Sequence, residues 1–245
     1  MPFTFSHPAI LLPFRKIGSV TALVVGSMVP DFQGFITLDV DKKFSHSWTG
    51  AILLDLPLAL LCCYIFHGVV RMPLIDHLPR YFKSRFVLFY SFDWVGHVKE
   101  NSGNVFFSLI AGIASHLLWD QLTHPGIIPG MEAEVEIFGI SDPLFVFVQY
   151  ACSIPPLILI FVVVHRLPVN DIVQEHSNKK LYWGLIALVS TIFTICRFMN
   201  CYHSEHFIDI LINTSIAGLL AGLIISSIYC SLNKFKPEST VSTAV

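Results

Sequence analysis

Of 245 residues only 13% are charged and 54% are hydrophobic, with a mean hydropathy of +0.67. An ordinary soluble domain carries about 25% charged residues, so the composition excludes one and indicates a membrane protein. The net charge of −2, with no stripe rich in Lys and Arg, argues against a nucleic-acid surface.

In chain order, the first 47 residues hold no clean span. Arg15 and Lys16 split them, and Gly18–Val29 runs for only about a dozen residues where about 20 are needed to cross. A re-entrant or interfacial pair of short helices is expected instead. Ser6 before His7-Pro8 marks one start, and Pro30-Asp31 ends the next helix, leaving Asp31 at its mouth with His7 and Asp31 both able to reach the outer surface. Trp48–Val70 is the first span, capped by Ser45 or Ser47 and interrupted by Asp55 and Pro57, a proline that neighbouring helices can accommodate. Val105–Leu122, Leu144–Val164, Leu181–Met199 and Phe207–Leu232 follow as uninterrupted spans. The expected fold is therefore all-α: a polytopic membrane helical bundle of about five spans plus a short N-terminal segment. One domain is expected over residues 1–232 and a short cytoplasmic tail over 233–245, of which Pro237–Val245 is a frayed polar end.

Six cysteines lie in or beside apolar runs without a Cys-x-x-Cys pair and read as small buried hydrophobes. Arg15 and Lys16 fall after the first apolar stretch, the reverse of a secretory signal, so no cleavage is expected. Positive charge sets the orientation. Met72–Asn104 carries Arg80, Lys83, Arg85 and Lys99, and Arg166–Lys180 carries Arg166, Lys179 and Lys180, so both should face the cytoplasm together with Lys234 and Lys236. Thr123–Pro143 has no Lys or Arg but holds Glu132, Glu134, Glu136 and Asp142, and should lie outside.

The most informative stretch is Ser115-His116-Leu-Leu-Trp-Asp120-Gln-Leu-Thr123-His124-Pro125-Gly126. Steps of four overshoot a helical turn by only about 40°, so His116, Asp120 and His124 share a face. A carboxylate near the bilayer centre costs about 2.5–3.5 kcal/mol on insertion scales, so Asp120 needs a partner, and a divalent cation would suffice. On the orientation above, His7, Asp31, His46, His116, Asp120 and His124 all fall on one side. Imidazole and carboxylate without cysteine suit zinc, iron or manganese and argue against a closed structural zinc site. One or two ions, bridged by Asp120 or Asp31 if two, could activate water for displacement at a phosphoester. Each residue taken singly also has a plain explanation: a packing histidine at His116, a position past the helix end at His124 before Pro125, a helix start at His7, a turn at Asp31 and a cap neighbour at His46. His203-Ser-Glu205-His206 could add a ligand or a general base, with Glu205 as acceptor, or be a short polar loop. Asp55 could support a ligating histidine from behind, whereas Asp142-Pro143 and Asp209 flank helix starts.

Met1-Pro-Phe-Thr-Phe-Ser-His7-Pro8, Pro30-Asp31-Phe, Ser45-His46-Ser47 and the His116–Gly126 stretch together resemble an uncharacterised bacterial family of small integral membrane proteins whose members begin almost identically. The close resemblance covers roughly the first 150 residues. That family is distantly similar to the predicted membrane-bound metal-dependent hydrolases, and the ordered set His, Asp, His, His-x-x-x-Asp, His is similar to zinc-dependent phospholipase C. The likeness implies an all-helical site in which His7, Asp31, His46, His116, Asp120 and His124 are ligands of a metal cluster, with a bound hydroxide attacking phosphorus. The further His-x-x-x-Glu of that enzyme has no match after His124, and the closer family's Gln-His pair reads Gln149-Tyr150 here. The expectation is a multi-pass protein of the bacterial cytoplasmic membrane that hydrolyses a phosphoester, plausibly of a lipid, at the extracytoplasmic face. The alternatives are a structural metal site, an ion or solute pathway, or a metal-free scaffold.

Overall fold

In the computed structural model, residues 3–170, 178–201 and 203–234 are described. Lys236 and the tail segment Pro237–Val245 lie outside the described residues. The chain is a polytopic all-α bundle with, among the described residues, six helical segments long and apolar enough to cross a membrane: Val20–Thr37, Trp48–His77, Ser102–Thr123, Leu144–His165, Lys179–Cys201 and Phe207–Asn233. Five of them match the spans expected from hydropathy. The sixth, Val20–Thr37, corrects the expectation of a segment too short to cross. Pro30 interrupts it in a 3-10 turn over Val29–Asp31, but Phe32–Thr37 resumes the helix and restores the length. Two compact units compose the chain, Met1–Tyr64 with Phe92–Val169, and Ile65–Ser91 with Asn170–Val245.

The first unit begins with a 3-10 helix over Thr4–Lys16, a length unusual for that geometry. Pro8 and Pro13 lie within it and cannot donate the main-chain hydrogen bonds that an α-helix there would need. Phe32–Thr37 ends at Leu38 in the left-handed conformation, and a polar loop then leads to Ser47, whose hydroxyl accepts from Gly50 N at 3.0 Å and caps the next helix as expected. Within that helix Ala51–Asp55 forms a π-turn, a local widening frequent at functional sites. Asp93 caps Trp94–Glu100 through Gly96 N, and Ser102–Thr123 follows as one unbroken helix. The core of the unit joins Ala22, Val29, Ala51, Ala59, Trp94, Val105, Leu109, Ile113 and Leu117. Across it Gly26 and Gly112 bring two helices into backbone contact: a Cβ on Gly112 would stand 2.7 Å from Ser27 N, and one on Gly26 would stand 2.6 Å from the Leu109 oxygen. Small residues at such crossings let membrane helices approach closely.

The acidic connection after Thr123 contains a feature that periodicity did not reveal, an antiparallel hairpin in which Glu134–Ile137 pairs with Ile140–Pro143. Phe138 and Gly139 both have positive φ, 52° and 78°, the geometry of a two-residue turn whose twist matches the flanking strands. Asp142 therefore sits in a strand just before the Leu144–Ala151 helix begins.

In the second unit the helices Lys179–Cys201 and Phe207–Lys234 pack as a pair. Gly218 and Gly222, one turn apart, face Ser190 and Ile186, where an added Cβ would come within 2.7 and 2.9 Å of their Cα atoms. Ser190 Oγ donates to the Ser215 oxygen at 3.0 Å, and Tyr182 and Ser227 share a hydroxyl hydrogen bond of 3.0 Å. Asp209 lies in the first turn of its helix, where negative charge complements the dipole.

Candidate metal centre

Five of the six proposed ligands converge within the first unit, delivered by four local elements. His7 rides on the proline-bearing 3-10 helix, and Asp31 ends the 3-10 turn that breaks Val20–Thr37. His46 stands in the loop before the Ser47 cap, while His116 and Asp120 occupy the last turns of Ser102–Thr123. The loop is fixed from two sides. Gln33 Oε1 accepts from Ser45 N at 2.7 Å, and Gly50 lies so close to the loop that a Cβ there would fall 1.8 Å from the Phe44 oxygen.

Two sets of donor atoms each lie within 4.8 Å of one another: His7, Asp31 and His116, and His46, His116 and Asp120. His46 Nε2 is 3.3 Å and His116 Nε2 3.6 Å from Asp120 Oδ2, and His7 Nε2 is 3.7 Å from Asp120 Oδ1. Asp31 Oδ1 lies 4.0 Å from both His46 Nε2 and His116 Nε2. The His7 and His116 rings stack with centroids 3.9 Å apart. Donors about 2.0–2.2 Å from a zinc ion are separated from one another by distances of this order.

Hydrogen bonding selects the nitrogen that faces inward. His116 Nδ1 lies 2.8 Å from the Ser27 main-chain oxygen, and His46 Nδ1 lies 3.1 Å from the Lys42 main-chain oxygen. A carbonyl can only accept, so both Nδ1 atoms carry hydrogen, which in the neutral rings leaves both Nε2 lone pairs directed at Asp120. Ligating histidines are commonly oriented in this way from behind. Main-chain carbonyls supply the support at these two rings that the sequence suggested for Asp55.

The donor set is therefore acceptor-rich and buried. His46 Nε2, His116 Nε2 and both Asp120 oxygens are buried without a hydrogen-bond partner. Positive charge between these groups would satisfy them out of water, supplied by a metal ion or by protons on the ring nitrogens. Asp55, on the π-turn, is also fully buried, and neither of its oxygens has a hydrogen-bond partner. His7 and Asp31 are buried within the protein, 1% and 0% exposed. His46 is the more open member, with 21% of its side chain accessible.

Two further residues complete the site without a signal in the sequence pattern. Thr4 Oγ1 donates to Asp31 Oδ2, and the buried Lys42 ammonium pairs with Asp31 Oδ1 at 2.7 Å. Lys42 sits in the polar run Asp39–Lys43, which reads as a solvated loop; its one distinguishing mark is its place four residues before His46. His124 belongs to neither donor set. It lies just past the helix end with extended backbone, and its Nδ1 is 2.7 Å from the Asp120 main-chain oxygen. Glu205 lies in the second unit, exposed in the short connection between two helices, and is in neither set.

No curated protein and no solved structure matches this sequence. A family profile does match, over residues 1–232, well past the 150 residues of the close resemblance and including all of the donor residues. The chain thus belongs to the family described as a domain of unknown function, DUF4184.

Proposed function

We propose that this protein is a membrane-bound, metal-dependent hydrolase of a phosphoester, with zinc held by His46, His116 and Asp120 and completed from His7 or Asp31. The observation that carries the reading is the buried convergence of two imidazole Nε2 atoms and both Asp120 oxygens without a hydrogen bond among them. A divalent ion in such a set supplies Lewis-acid polarisation of a phosphoryl oxygen and lowers the pKa of water. The chain's own residues do the rest. Ser27 and Lys42 carbonyls hold the two rings in register, and the accessible side of His46 gives a substrate its approach. The absence of cysteine from the set and the presence of a ligand at the solvent side favour a catalytic over a closed structural centre.

A lipid is the favoured substrate class. An apolar cleft of about 590 Å³ runs between Ile52, Leu56 and Leu60 on one wall and Val105, Phe106 and Leu109 on the other. These walls belong to the helix that carries Asp55 and to the helix that carries His116 and Asp120. The charge asymmetry of the connecting segments supports a site at the extracytoplasmic face of the bacterial cytoplasmic membrane, with the C-terminus inside. A second reading, a non-catalytic metal centre or ion pathway, draws on the full burial of Asp31, Asp55 and His116.

The test is hydrolysis of phospholipid in mixed micelles by the detergent-purified protein, following release of the phosphorylated headgroup. Turnover that disappears with chelator, returns with zinc and is lost in Asp120→Ala is expected. Zinc bound without turnover on lipid or simple phosphodiesters would favour the second reading.

A further inference from the structure

We infer that Lys42 stands in the place of a second metal ion, so that the centre takes one divalent cation and the lysine ammonium provides the other positive charge. The inference rests on the metal reading above and fixes its stoichiometry.

The two donor sets share His116, and that sharing is the first constraint. Its Nδ1 hydrogen is committed to the Ser27 oxygen, so only the Nε2 lone pair remains. One imidazole lone pair binds one ion, and His116 cannot serve both sets at once. Asp120 faces Nε2 atoms of His7, His46 and His116, which draws the ion to the Asp120 side.

What remains for a second ion is Asp31, and Asp31 is already engaged. Its Oδ1 holds the Lys42 ammonium at 2.7 Å, and its Oδ2 receives the Thr4 hydroxyl. The ammonium is itself buried, its nitrogen 5.8 Å from the centre of the Phe35 ring, so water does not screen it from a neighbouring cation. Charge balance agrees. Asp31 and Asp120 bring two negative charges and Lys42 one positive charge, so one divalent ion already cancels what remains. A second such ion would leave the buried cluster strongly positive. In two-metal phosphoesterases both ions clamp oxygens of the reacting group. Here the ammonium takes one of those positions, as a compact point charge of the kind that binds phosphate.

The experiment is a count of zinc per chain in detergent-purified protein equilibrated with excess zinc and then desalted, for wild type, Lys42→Arg, Lys42→Met and Lys42→Gln. One ion is expected in wild type and in Lys42→Arg, where the positive charge is kept. Two are expected in Lys42→Met and in Lys42→Gln, where Asp31 is released to ligate a second ion. Two ions in wild type, or one in a folded neutral variant, would overturn the inference while leaving a metal centre. No ion in wild type would overturn the metal reading itself and this inference with it. The paired neutral variants keep the comparison alive if one fails to fold, and the wild-type count stands alone if both do.

Discussion

His116 donates from Nδ1 to the main-chain oxygen of Ser27 at 2.8 Å, across 89 positions of sequence. This bond exists because Gly26 and Gly112 let their helices touch, and it aims the His116 lone pair at Asp120. Gly112→Val should therefore do two things. It should lower stability by about 1–3 kcal/mol through overpacking, and weaken zinc binding by about 10–100-fold because the ring loses its backing. Thermal unfolding in detergent and zinc titration measure the two effects. Unchanged zinc affinity in a folded Gly112→Val protein would contradict the role given to Ser27.

Gly50 makes a second such contact, under the loop that carries His46. With the Cβ position 1.8 Å from the Phe44 oxygen, Gly50→Ala must displace the main chain, and we expect reduced zinc affinity with destabilisation of at least about 1–3 kcal/mol. Gly103→Ala is the control. Nothing lies within 4 Å of its Cβ position, and alanine is the better helix former by roughly 0.5–1 kcal/mol, so stability should hold or rise.

His124 separates two meanings of helical spacing. It follows Asp120 by four residues, as Asp120 follows His116, yet it lies past the helix end and in neither donor set. We expect His124→Ala to keep its zinc under conditions where His116→Ala and His46→Ala lose it. Loss of zinc in all three would place His124 among the ligands.

Orientation can be checked by single cysteines introduced at Glu134 and Lys179 in a background lacking the six native cysteines. A membrane-impermeant thiol reagent applied to intact spheroplasts should label the first and spare the second. Labelling of both from the same side would overturn the placement of the centre.

Much of the fold was legible because a membrane forces its signal into composition. Five spans follow from runs of apolar residues, since each must satisfy its backbone internally and its side chains meet lipid. Val20–Thr37 was not legible, because Pro30 and Asp31 look like an end and only tertiary packing shows that the helix resumes. The hairpin over Glu134–Pro143 was hidden in a similar way, its register set by a Phe138-Gly139 turn inside an acidic segment. At the site, His116 and Asp120 were visible through spacing. His7, Asp31 and His46 were visible as polar residues on a common side and through the family likeness, and the distances between them come from packing. Lys42 and Thr4 could not be read at all, because their identity as partners of Asp31 depends on a loop folding back over more than ten residues.

Stability offers a further check on the metal. An ion that binds only the folded state stabilises it by about 2.7 kcal/mol at a concentration one hundred times its Kd. Wild type should therefore melt several degrees higher with zinc than with chelator, and Asp120→Ala should not respond.

The most direct test is the metal content of the protein as purified in detergent, determined by elemental analysis beside His116→Ala and Asp120→Ala. The account predicts one divalent ion per wild-type chain and its loss in both variants. A wild-type chain without metal, or variants that hold as much as wild type, would contradict it.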